Sequence, residues 1–186
     1  VFLLMTGTLL ATTPKVAQRF GAGTFDEIGP LVRQALWLAL VVGLIATLAL
    51  LGAEPILHIM NVDPELIGPC MEYLQGIATG LPAVALYHVL RCFSDGLGRT
   101  RPAMVLGLCG LALNIPLNYI FIYGHLGLPA MGGVGCGWAT PLVMWFMALG
   151  MAGWARWAPA YQSSRLFNRF DWPQWTVIKR LLGIGL

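Results

Sequence analysis

The sequence predicts an all-α fold, a polytopic bundle of membrane-spanning helices. Composition comes first: 58% of the 186 residues are hydrophobic and 10% are charged, against about 25% charged in an ordinary globular chain. Mean hydropathy is +0.74, which leaves too little polar surface to clothe a soluble core. The apolar residues also gather into stretches of about 20, the length at which a helix crosses the hydrocarbon layer. Most of the charges fall between those stretches, beside turn-forming residues such as Pro55, Pro64, Gly96 and Gly98.

The expected spans, in order, are residues 1–14, 34–53, 69–90, 102–123 and 133–157. The first is a remainder, and the polar stretch holding Lys15, Gln18, Arg19, Asp26, Glu27 and Arg33 reads as a loop. The second span exits at Glu54-Pro55, before the acidic link from Asn61 to Glu65. The third meets the run from Arg91 to Arg101, too charged and glycine-rich to stay in lipid. A neutral glycine-rich link, 124–132, joins the fourth span to the fifth. Residues 158–175 read as a polar linker, in which Asp171-Trp172-Pro173-Gln174 has the cap, early proline and third-position Gln of a helix start. Trp172, Trp175, Ile178 and Leu181 share one face of that helix, so 176–186 reads as an interfacial entry into a further span. Because the chain opens at Val1 within one apolar run and stops at Leu186 in another, it is expected to be a piece of a longer protein. A signal-peptide reading of Val1 to Thr13 lacks the basic region that should precede the apolar core.

Charge predicts orientation. All 11 basic residues lie in the first, third and fifth linking segments (Lys15, Arg19, Arg33; Arg91, Arg99, Arg101; Arg156, Arg165, Arg169, Lys179, Arg180), and the second and fourth have none. Basic loops are retained in the cytoplasm, so these segments are expected inside and the loops at Asn61 and His125 outside. The basic segments are also the longer ones, which contributes to the asymmetry. No dense basic run exists, which argues against nucleic acid as a partner.

Enzyme chemistry finds little purchase. Cys70, Cys92, Cys109 and Cys136 have no C-x-x-C spacing, and His58, His88 and His125 have no i, i+4 metal-type partner, so no metal site is expected. Gly96-Leu97-Gly98 and Gly21-Ala22-Gly23 read as turn glycines, not phosphate loops. Gly133 to Gly137 contains a G-x-x-x-G, and Gly76, Gly80, Gly107 and Gly110 add small faces suited to close helix packing.

The clearest chemical signal is Asn114-Ile115-Pro116-Leu117-Asn118 in the fourth span. Two asparagines at i, i+4 share a face, and an amide in hydrocarbon is costly unless bonded, so that face should point at helices or water. Pro116 cannot donate to the Ala112 carbonyl, and Pro141 likewise frees the carbonyl of Gly137. Asn118 and Thr140 each lie about five residues outward of their span's midpoint, about 8 Å from the midplane, so they are expected to be able to meet. Interhelical glue and a site for water, a proton or a small cation both account for these residues, and sequence physics leaves the two open. No acidic or basic residue lies near the middle of a complete span, since Glu54 and Glu72 sit near outer ends, so a coupling carboxylate would have to come from elsewhere.

Four segments together resemble the multidrug and toxic compound extrusion (MATE) family, its NorM-like branch in particular. They are Pro14-Lys15-Val16-Ala17-Gln18-Arg19-Phe20-Gly21-Ala22-Gly23, Arg91-Cys92-Phe93-Ser94-Asp95-Gly96-Leu97-Gly98-Arg99-Thr100-Arg101-Pro102, Asn114-Ile115-Pro116-Leu117-Asn118-Tyr119-Ile120-Phe121 and Gly132-Gly133-Val134-Gly135-Cys136-Gly137-Trp138-Ala139-Thr140. They occur in the family's order across essentially the whole chain. The resemblance implies twelve helices in two six-helix lobes, with this chain as helices 2 to 6 of the N-lobe (1–157), the inter-lobe linker (158–175) and the start of helix 7 (176–186). Helix 1 and the C-lobe of the same chain would be the missing partners. It also implies multidrug efflux across a bacterial plasma membrane by alternating access, exchanging cationic, amphipathic small molecules for sodium ions or protons, without another cofactor. Asn114, Asn118 and Thr140 stand where the resemblance puts the N-lobe cation site, with Pro116 and Pro141 as its helix breaks. Some relatives carry Asp where Asn118 stands, which leaves open whether this lobe binds the coupling ion. Gln18, Gly21, Gly23, Asp95, Gly96, Gly98 and Arg99 belong to the cytoplasmic family motif. A lipid-linked oligosaccharide flippase of similar architecture is the alternative; its more basic central cavity is not matched by any mid-span Arg or Lys here.

Overall fold

A computed structural model describes residues 12–125, 127, 129–162, 166 and 172. Most of the expected first span and all of 176–186 lie outside the described residues. The first described helix, α1, is Thr12–Gly21, with Thr12 and Val16 turned inward. It ends in a turn at Gly23, whose φ of +74° favours glycine. A 3₁₀ turn at Phe25–Glu27 leads directly into α2, Ile28–Leu51. The polar stretch from Lys15 to Arg33 is thus mostly helix, and the second span begins at residue 28 instead of 34. Half-buried basic side chains explain the difference, since from one face of a helix they reach nearby backbone carbonyls while the other face packs. Arg19 does this by donating from Nη1 to the Glu27 carbonyl at 2.9 Å. Its guanidinium also lies 3.6 Å from the Glu27 carboxylate.

In α2, Ile28, Leu31, Val32, Ala35, Leu38 and Ala39 recur at helical spacing and are buried. Ile45 and Leu48 on the other side are 60% and 69% exposed, an apolar surface suited to lipid or to further helices. A short helix, α3, Glu54–Ile59, occupies the expected exit turn.

The expected third span is two helices. The first, α4, is Pro64–Ala78, where Asp63 caps the start by accepting from the Glu65 amide at 3.2 Å. The second, α5, is Leu81–Gly96, with Pro82 in its first turn. Together they make one apolar stretch, Pro64–Gly96, which starts earlier and ends later than the expected 69–90. Because α4 starts at Pro64, Glu72 sits about two turns inside it, deeper than expected but exposed.

The last two spans lie where expected. Helix α6 is Arg101–Tyr123, stopped by Gly124 in the left-handed region, φ 73°. Helix α7 is Gly133–Trp157, followed by the short α8, Pro159–Gln162, inside the expected linker. Among the described residues four stretches are long and apolar enough to cross a membrane: Phe25–Leu51, Pro64–Gly96, Arg101–Tyr123 and Gly133–Trp157. Helix α7 is the hub, packing on α4, α5 and α6, while α2 and α1 cover α5 from the other side. Helices α5 and α6 scarcely touch, which opens a cavity of about 700 Å³ walled by Tyr87, His88, Arg91, Met104, Met144 and Met147.

Candidate functional site

On α6, Asn118 donates from Nδ2 to Asn114 Oδ1 at 2.8 Å. The two amides are therefore locked to each other along one face, as their i, i+4 spacing allows. The bond spends one donor and one acceptor and leaves Asn118 Oδ1 buried with no hydrogen-bond partner. A buried acceptor in that state costs about 1–3 kcal/mol, which an incoming cation or donor would recover. Ala112 and Pro116 lie on the exposed side of α6 while Asn114 and Asn118 are half-buried. At 3.6 residues per turn Ala112 and Asn114 are about 200° apart, so the carbonyl freed by Pro116 is not beside the asparagine face.

Close approaches at two glycines fix how α6 and α7 pair. A Cβ on Gly135 would lie 2.7 Å from the Phe121 carbonyl carbon, and one on Gly110 would lie 2.9 Å from Met147 Sδ. The resulting antiparallel register puts Thr140 level with Pro116, between the two asparagines. At that level Thr140 Oγ1 donates to the Cys136 carbonyl of its own helix at 2.7 Å. Asn118 and Thr140 therefore share a depth without bonding to each other. The two ends of the G-x-x-x-G do not act alike: a methyl on Gly133 would meet open space, whereas one on Gly137 would lie 2.7 Å from the Tyr73 carbonyl oxygen of α4. Gly107 also faces open space.

The same layer holds a feature that sequence reasoning missed, the break between α4 and α5. Pro82 has no N–H for the Ala78 carbonyl, and the neighbouring helix supplies the donor: Thr47 Oγ1 reaches that oxygen at 2.9 Å while also contacting its own Gly43 carbonyl at 3.0 Å. The Thr79 carbonyl accepts from Trp145 Nε1 of α7 at 3.2 Å. Small residues let the backbones close around the break, for a Cβ on Gly43 would lie 2.8 Å from Pro82 Cα and one on Gly80 would lie 3.0 Å from Pro141 Cα. A methyl on Gly76 would sit 2.6 Å from the Gly137 carbonyl oxygen, the one Pro141 frees. Pro141 thus lies buried against the α4–α5 break, and the proline-modified stretches of α5, α6 and α7 occupy one layer. Pro82, four residues after Ala78, was the available signal; its partner Thr47 is tertiary information.

At the basic end, two segments of the family motif meet. Gly96 closes onto α1, where a Cβ would lie 2.7 Å from Val16 Cβ. Gly98, at φ +72°, makes the turn into α6, and Asp95 pairs with Arg91 at 3.6 Å. Gln18, Gly21 and Gly23 lie exposed at the end of α1 and in the turn after it. Arg99 turns its guanidinium over the Tyr161 ring, 6.0 Å from the centroid. Among the described residues no cluster of three or more His, Cys, Asp or Glu side chains is placed to hold a metal ion.

The sequence profile of the MatE family matches residues 1–120. The chain belongs to the MATE family. Multidrug resistance protein PmpM of Pseudomonas aeruginosa is 63% identical over 187 aligned positions, taking in 100% of this chain and 39% of that protein. Multidrug resistance protein MdtK of Yersinia pestis is 45% identical over 181, covering 97% of this chain and 40% of its own length. The fold is similar to an inward-facing MATE transporter of the MOP superfamily, with a TM-score of 0.83 and 26% identity over 98% of this chain and 40% of that one. It is also similar to the MATE transporter NorM-NG in a complex with a monobody, with a TM-score of 0.75 and 29% identity over 100% of this chain and 40% of that one. The chain therefore spans about two fifths of the length of these relatives. MATE structures have twelve helices in two lobes, and the family consists of transporters, not enzymes. Family and helices together make this a multi-pass membrane protein.

Proposed function

We propose that the full-length protein exports cationic, amphipathic drugs across a bacterial plasma membrane by antiport, exchanging them for entering sodium ions or protons as its two lobes rock about a central cavity. Family membership supports the class, and the names of the relatives support drugs as the cargo. The observation that carries the site is the buried, unpartnered Oδ1 of Asn118, aligned with Asn114 and level with Thr140. Amide, hydroxyl and backbone oxygens are hard ligands suited to sodium, while a proton would need a group of higher basicity close by. An acid contributed from beyond this chain would complete the site for either ion. The basic turns face the cytoplasm in this reading, which places the inward-facing mouth at the Arg91–Arg101 end.

Ethidium efflux from a pump-deficient bacterium expressing the full-length protein tests this directly. Efflux should appear, should fall when either sodium is withdrawn or the proton gradient is collapsed, and should be lost in Asn118→Ala at equal expression. A well-expressed protein that moves neither ethidium nor other cationic dyes would overturn drug export and advance the lipid-linked oligosaccharide flippase alternative.

A further inference from the structure

The described residues beyond α7 stay on the bundle. Tyr161 in α8 is 2% exposed and Leu166 is 4% exposed, so both belong to the core. The Tyr161 hydroxyl meets Ser94 Oγ at 2.6 Å, and Ser94, near the end of α5, is 0% exposed. Ser94 Oγ also contacts the Arg99 carbonyl oxygen. A carbonyl only accepts, so Ser94 spends its single proton on Arg99, and Tyr161 must donate to Ser94. The result is a directed relay from Tyr161 through Ser94 to the backbone of the α5–α6 turn, of the kind whose members polarise one another. The Tyr161 ring stands edge-on to Phe93 at 5.5 Å beneath the Arg99 guanidinium. Two side chains of α2 hold the chain further along: Arg33 Nη1 donates to the Leu166 carbonyl at 3.0 Å, and Gln34 Nε2 donates to the Trp172 carbonyl at 2.9 Å.

We infer that α8 is a strap clasped to the base of this bundle through Tyr161 and Ser94, with further ties at Leu166 and Trp172, and that Tyr161 is a positioning residue for whatever the chain builds next. The inference rests on reading the protein as a two-lobed transporter, in which this strap is the first part of the inter-lobe connection. A connection tied down at Tyr161, Leu166 and Trp172 moves with the first lobe, so the pivot between lobes lies after Trp172, and the α5–α6 turn and the start of α2 set where the second lobe begins. Both hydroxyls are buried, so Tyr161→Phe removes a buried donor to Ser94 and Ser94→Ala removes a buried acceptor of Tyr161.

Hydrogen–deuterium exchange on the full-length protein in lipid nanodiscs tests this whether or not the protein pumps. Peptides that carry Tyr161, Leu166 and Trp172 should exchange slowly, with the same protection relative to intrinsic exchange at each pH, acid or alkaline, and with or without sodium and ethidium. Tyr161→Phe, which keeps the ring, and Ser94→Ala should each speed that exchange about 5-fold while α6 is unchanged, as expected for loss of one net hydrogen bond. The double variant should be no faster in this segment than either single one, because each already removes the Tyr161–Ser94 bond, while the Arg99 bond that Ser94→Ala also removes ties the α5–α6 turn. Exchange at unstructured-chain rates in the native protein, protection lost in one of the transport states, no change in either variant, or additive effects would each overturn the strap. Failure of ethidium export with the exchange pattern intact would instead count against the antiporter reading alone.

Discussion

Asn118 separates two roles that asparagines in membrane helices play. An interhelical amide contact typically contributes about 0.6 kcal/mol, but the bond Asn118 makes is to Asn114 on its own helix, and its remaining oxygen bonds nothing. Replacing it by leucine removes an unsatisfied acceptor and breaks no tie to another helix. Asn118→Leu is therefore expected to leave the thermal stability of the full-length protein no lower than wild type while abolishing gradient-dependent efflux; clear destabilisation with efflux retained would assign the residue to packing. Glycines give a second contrast at this scale. Gly137→Ala pushes a methyl to 2.7 Å from the Tyr73 backbone oxygen, overpacking expected to cost about 1–3 kcal/mol, whereas Gly133→Ala enters open space and should be silent or slightly stabilising. A fluorescence-detected melt of both variants checks this. The asparagine pair and the depth of Thr140 were legible in the sequence because both follow from helical spacing. The direction of the Thr140 hydroxyl was not, because a threonine can bond back to its own i−4 carbonyl, and here that bond prevails.

At the scale of elements, the sequence located spans by hydropathy and missed what hydropathy averages away. Helices α6 and α7 start and stop at glycine, proline and arginine signals that local chemistry fixes, and their bounds match the expected ones. The beginning of α2 was misplaced because charged residues on a packed amphipathic turn look like a loop when counted and not placed on a face. The α4–α5 break was missed because its cost is met from outside: Thr47 on α2 and Trp145 on α7 satisfy the carbonyls at Ala78 and Thr79. That arrangement predicts asymmetry between two conservative changes. Thr47→Val keeps the shape and loses the donor, leaving the Ala78 carbonyl unpaired where Pro82 cannot help, at a cost of about 1–3 kcal/mol. Thr47→Ser keeps the hydroxyl and should stay near wild type. Equal melting temperatures for the two would show that water or a backbone shift satisfies the break instead.

At the scale of the molecule, charge and packing agree on a single polarity. Contacts between Gly96 and Val16, Ser94 and Tyr161, and Arg33 and Leu166 gather the turn after α1, the turn before α6 and the chain after α7 at one end of the bundle. These are the segments that carry the basic residues, so the clustering that sequence order merely suggested is also spatial, among the described residues. The opposite end holds α3, Asp63 and His125 and, among the described residues, no lysine or arginine. Positive charge is held on the cytoplasmic side because moving it across an energised membrane is opposed. In intact cells, and in a cysteine-free background of the full-length protein, a membrane-impermeant thiol reagent should therefore modify cysteines placed at Asn61 and His125 and spare those placed at Gln18 and Arg101 until the membrane is permeabilised. Those four positions are all exposed, so a failure to react reports the side of the membrane and not burial. Labelling of the Gln18 and Arg101 positions from outside would invert the topology and move the inward-facing mouth to the Asn61 end; labelling at all four would mean that the charge asymmetry does not set orientation in this protein.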